Sequence, residues 1–180
     1  YILHEEFTPR LLEEIAALSD RSDPGDAVIQ LEAAIARLES GQLEQAASTI
    51  KTALNRLSGN AYTCAIACRI LALAGDPGQA IKIGSRAISI DVQNMLAWDG
   101  LALAYSLQDQ PNKISRQFLQ AIQKLPSVAA VFYFHLGVQK KRKGHYRDAA
   151  ELLERSLAIS PGNPDAYPVL GDTFWQLGQT

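Results

Sequence analysis

Apolar residues return along this chain with a helical step, in runs broken at nearly equal intervals. Val28, Leu31, Ile35 and Leu38 fall at i, i+3, i+7 and i+10, which is one face of a helix. After Ser40, Gly41 and Gln42 the period restarts with Leu43, Ala46, Ala47, Ile50, Ala53, Leu54 and Leu57. Ahead of this pair, residues 8–18 (TPRLLEEIAAL) read as one amphipathic helix. No segment alternates apolar and polar residues with a period of two, so the pattern predicts paired helices, short turns and almost no strand.

The interval between breaks is itself periodic. YFHLGVQKKRKGHY (133–146) laid over YPVLGDTFWQLGQT (167–180) pairs Tyr133 with Tyr167, Leu136 with Leu170, Gly137 with Gly171 and Gly144 with Gly178, each 34 apart. Units starting at Ala27, Ala61, Met95, Ala130 and Pro164, with Ala129 as one extra residue, extend this register upstream. Position 20 is then Ala46, Ala80, Ile114 and Ala149, and position 27 is Ala53, Ala87, Ala121 and Ser156. Such residues suit close helix crossings. Position 15 is Gly41, Gly75, Asp109, Gly144 and Gly178, and position 32 is Ser58, Val92, Pro126 and Pro161, both turn positions. The prolines after Asp76 and Gln110 suit helix starts, where the missing N–H costs nothing. In SPGNPDAY (160–167) one helix stops, Asn163 caps the next and Pro164 opens it.

A 34-residue helix–turn–helix unit with Trp98, Leu101, Tyr105 and Pro126, then Tyr133, Leu136, Gly137, Ala149 and Pro161, then Tyr167, Leu170, Gly171 and Phe174, resembles the tetratricopeptide repeat (TPR) family. The resemblance covers 27–180. It is weaker in the first two units, where position 4 is Gln30 and Cys64 and position 8 is Ala34 and Cys68. It implies an all-α, right-handed superhelical solenoid. Its repeats would be 27–60, 61–94, 95–129 and 130–163, followed by the first helix of an incomplete repeat at 164–180. Residues 1–26 are expected to cap the array or to be a worn half repeat. The Gln- and Ala-rich composition resembles bacterial members of the family.

Composition narrows function. Hydrophobic residues make up 47% of 180, and the net charge is −2 (17 − 19). That balance speaks against a protein that grips nucleic acid over a broad basic face. No apolar run approaches the ~18 residues that a membrane-spanning helix needs. Cys64 and Cys68, at i and i+4, read as core residues rather than a disulfide or half a metal site. His4, His135 and His145 lie apart from one another with no acid or nucleophile motif beside them. No phosphate loop or hydrolase motif is present, so neither an enzyme nor a cofactor nor a metal is expected.

Repeat proteins of this kind bind along an extended concave face, and in the family resembled the first helices line it. Carried over by position, the candidate contacts are Val28, Leu31, Ile35, Leu38 and Glu39 in the first unit and Tyr62, Ala65, Arg69, Ala72 and Leu73 in the second. Leu96, Asp99, Leu103, Ser106 and Leu107 follow in the third, Val131, Phe134, Val138, Lys141 and Arg142 in the fourth, and Asp165, Pro168, Asp172, Trp175 and Gln176 in the fifth. The clamp of Lys, Arg and Asn with which some relatives hold acidic chaperone tails is not matched; among its positions only Arg69 is basic. An apolar or amphipathic segment of a protein partner is expected instead, docked by spaced anchors. The function expected is a non-catalytic interaction scaffold or adaptor. The alternatives are the regulatory or substrate-positioning arm of a larger enzyme and a self-association module forming a homo-oligomer. The run Lys140, Lys141, Arg142 and Lys143 falls at the end of a first helix, where positive charge suits the dipole. Lys141 and Arg142 are expected to face the groove, and Lys140 to lay its stem over apolar neighbours.

Overall fold

The computed structural model describes residues 26–108, 120–123 and 125–178. The expected N-terminal helix, Ile114 of the repeat register and the helix start at Pro111 lie outside them. The described chain is helix after helix: α1 (Ala27–Glu39), α2 (Leu43–Leu57), α3 (Ala61–Leu73), α4 (Pro77–Ile90), α5 (Met95–Leu107), α6 (Pro126–Arg142), α7 (Tyr146–Ile159) and α8 (Ala166–Gln176), with residues 120–123 also helical. No strand occurs among the described residues. Two compact units are present, Tyr1–Gly100 and Leu101–Thr180.

Local chemistry sets the helix ends. Asp26, Asn60 and Asn94 recur at one repeat position, and each side chain accepts from a backbone N–H three residues on, at Ile29, Thr63 and Ala97. This satisfies a donor that the first turn leaves without a helical partner. Gly41, Gly75, Gly144 and Gly178 end first helices with φ of 75°, 87°, 78° and 70°, the left-handed geometry that closes a helix at least cost in glycine. Two boundaries differ from the sequence expectation. α6 begins at Pro126, four residues before Ala130, because a proline read as a stop serves equally as the first residue of a helix. Asn163 Oδ1 accepts from Asp165 N at 3.1 Å, and regular helix follows only from Ala166.

In the first unit, α1 packs on α2, α2 on α3, α3 on α4 and α1 on α3. Their core joins Leu31, Ala34, Ile35, Ala46, Ile50, Ala53, Ile66, Ala67 and Ile70. Arg37 is buried where the third repeat has Tyr105, and its guanidinium donates to Thr49 Oγ1. In the second unit, α7 packs on both α6 and α8, and Ser156 Oγ donates to the Ala130 carbonyl at 2.8 Å.

Repeat positions 8 and 24 exchange size. A Cβ placed on Gly137 would lie 2.9 Å from Leu153 Cγ; in the second repeat Cys68 takes the glycine's place and buried Gly84 takes the leucine's. Gly137→Ala is therefore expected to destabilise by about 1 kcal/mol, overpacking outweighing the gain in helix propensity. Combining it with Leu153→Ala should cost less than the sum of the two single changes, a coupling that urea titration of the double-mutant cycle measures.

Candidate protein-binding surface

The structure divides the expected contact residues by burial. Leu31 and Ile35 belong to the core and Leu103 is buried, while Leu38 and Leu96 pack at the core's edge. The apolar groove expected at the first repeat is thus largely interior. A first helix in such a repeat meets both its own second helix and its neighbours, and in α1 and α5 the large apolar side chains at positions 5 and 9 are covered, whereas Phe134 and Val138 at those positions of α6 are only half-buried. Exposed on α1 and α3 are Val28 (59%), Tyr62 (41%) and Leu73. In the second unit Phe134, Val138 and Lys141 are half-buried, and Arg142, Asp172 and Trp175 are exposed.

Two ion pairs tie expected contact residues together across successive first helices. Arg69 on α3 meets Asp99 on α5 at 2.6 Å, and Lys141 on α6 meets Asp172 on α8. α3 and α5 approach closely here, since a Cβ on Gly100 would lie 3.1 Å from Cys68 Sγ. Lys141 and Arg69 are therefore engaged within the protein rather than standing as unpaired ligand contacts. Their sequence separations, 30 and 31, hide the pairs from any single-helix pattern. Lys140 pairs with Asp148 at 3.0 Å, and its hydrogen bond and charge hold that carboxyl below the ordinary range. The exposed pair carries little stability.

Position 4 supplies a contact that the sequence reading did not find. In the second, third and fifth units its side chain donates to the carbonyl six residues back, in the turn before the repeat. Trp98 Nε1 reaches Val92 O at 2.8 Å, Tyr167 Oη reaches Pro161 O at 2.8 Å, and Cys64 Sγ reaches Ser58 O at 3.4 Å. Aligning positions 4 and 32 of successive units contains that signal.

Reactive chemistry has little to work with among the described residues. Burial pushes the Cys68 thiol up to about 12 and raises Cys64 as well, and both are free cysteines. His135 stands edge-on to Phe134, with ring centroids 5.2 Å apart. No group of three or more His, Cys, Asp or Glu is placed to hold a metal, and no helix is long and apolar enough to cross a membrane, among the described residues.

No protein-family model matches the sequence, and no curated protein matches it. Solved structures match its fold. YrrB, described as a TPR protein with an unusual peptide-binding site, is 18% identical with a TM-score of 0.58, covering 87% of this chain and 82% of that one. A tetratricopeptide repeat protein from Parabacteroides merdae is 14% identical with a TM-score of 0.56, covering 94% and 66%. MamA is 21% identical with a TM-score of 0.50, covering 85% and 83%. Recurrent helix pairs, turn glycines at one repeat position and these similarities define an all-α helical-repeat protein of the solenoid class. The fold is that of the tetratricopeptide repeat.

Proposed function

We propose that this protein is a non-catalytic interaction scaffold that docks a segment of a protein partner on its first helices. The observation that carries the reading is the exposure of three apolar residues on two helices that pack on each other, Val28 on α1 with Tyr62 and Leu73 on α3, and α3 also carries Arg69 of the Arg69–Asp99 pair. Apolar anchors with a polar, already compensated rim suit an amphipathic helix or an extended segment. YrrB, with the same fold, is described as having a peptide-binding site, which supports a peptide as the ligand class.

The test uses peptides selected from a random library on the intact chain. Tyr62→Ala with Arg69→Ala should weaken the selected peptides at least about tenfold, a loss that calorimetry resolves readily. The melting curve should stay near that of the parent, since Tyr62 is exposed and Arg69 half-exposed. Selected peptides indifferent to both substitutions would remove this surface from the reading.

A further inference from the structure

The second repeat has a cysteine where the third has a ring, and a pocket adjoins it. Trp98 is 1% exposed and fills the space behind its bond to the Val92 carbonyl. At the equivalent place Cys64 makes the same link to Ser58 with a far shorter side chain. Cys64, itself fully buried, lies at the floor of an open cavity of about 320 Å³ that Asn55 and Gln79 also line, within the size range of small-ligand sites. Leu54 of α2 and Ile83 of α4 give it apolar walls, and the Cys64 thiol, kept neutral by burial, adds no charge. The exposed cations Lys51 and Arg86 also line it. Arg86 Nη2 reaches Ser58 Oγ at 3.5 Å, and neither cation forms an ion pair with any described residue.

We propose that this pocket receives an aromatic side chain of a partner peptide that carries a carboxylate next to the ring. The register places a tryptophan at the same repeat position one repeat later, with the same link to the preceding turn, and this favours an indole as the ring. The Ser58 carbonyl retains acceptor capacity for an indole N–H, since a carbonyl has two lone pairs and the thiol is a weak donor. Lys51 and Arg86 are placed to meet the flanking carboxylate through charge-assisted bonds, and to lie against the ring face. Second helices, α2 and α4, build most of this pocket, so it is a separate contact region from the first-helix surface.

The probe is the peptide Ac-Glu-Trp-Glu-NH2 titrated into the full chain, followed by amide chemical shifts and calorimetry. Shifts should centre on residues 51–58 and 79–86. Ac-Glu-Ala-Glu-NH2 should not bind, and Ac-Lys-Trp-Lys-NH2 should bind at least about tenfold more weakly. Cys64→Trp should fill the pocket with the protein's own ring, raise the melting temperature and abolish binding. Lys51→Glu with Arg86→Glu, both at exposed positions, should weaken the acidic peptide at least about tenfold and tests the site even if Cys64→Trp folds poorly. The proposal is overturned by shifts elsewhere, by binding that survives Cys64→Trp or the charge reversal, or by equal affinity for the lysine-flanked peptide. Indole-3-acetate binding as tightly as the peptide would assign the pocket to a free aromatic acid instead.

Discussion

Trp98→Ala is expected to lower the unfolding free energy by about 3–5 kcal/mol, a large share of what holds a domain together. The ring is 1% exposed, so the substitution deletes most of a buried aromatic surface and leaves a cavity. It also removes the indole's hydrogen bond to the Val92 carbonyl, a smaller loss because Val92 is 58% exposed and water can take the donor's place. Trp98→Phe separates the two contributions, because it keeps most of the packing and loses only the hydrogen bond; it should cost about 1–2 kcal/mol. Stability in a repeat array is close to a sum of unit and interface contributions, so amide exchange should accelerate most in α4 and α5. The check is the urea midpoint at constant m-value. An unchanged midpoint would show that position 4 does not hold the turn between repeats.

The reach of the sequence differed by feature, and the reasons are physical. Turn glycines were legible because a positive φ demands a residue without Cβ, and Gly41, Gly75, Gly144 and Gly178 all adopt it. Helix starts at Ala27, Ala61 and Met95 followed from the apolar period and the repeat register. What escaped were relations between helices. Burial of Leu31, Ile35 and Leu103 depends on which faces a neighbour covers, and periodicity reports only that a face is apolar. In AYTCAIACRILAL (61–73) nearly every turn is apolar, and that helix is buried almost all round. The Arg69–Asp99 and Lys141–Asp172 pairs join residues on different helices, so they emerge only once adjacent repeats are superposed. The exchange of Gly137 and Leu153 for Cys68 and Gly84 has the same character: each residue departs from or fits the pattern alone, and the pair makes sense through shared volume.

Leu31→Glu is expected to destabilise by about 4 kcal/mol, most of the stability of a marginally stable domain. Leu31 is 7% exposed and sits among Ala34, Ile35, Ile66 and Ile70, apolar neighbours that offer a carboxylate no hydrogen bond. Burial disfavours the charged form, so the introduced group would have a folded-state pKa above its unfolded value of about 4.3. The folded protein then binds more protons than the unfolded chain between those two values, and stability falls as pH rises through that interval. The deficit relative to the parent should therefore be smaller at about pH 4.5 than at pH 7.5. Leu31→Gln, polar but without a charge to lose, should show a deficit that does not depend on pH. Circular dichroism through urea titrations at both pH values reads all of these. Tyr62→Ala, at an exposed position on the next first helix, should stay within about 1 kcal/mol of the parent. Lost peptide binding therefore has different meanings at the two sites: at Tyr62 it reports a missing contact, and at Leu31 it reports a missing fold. A Leu31→Glu protein that melted like the parent would put Leu31 on the surface and reinstate an apolar groove at the first repeat.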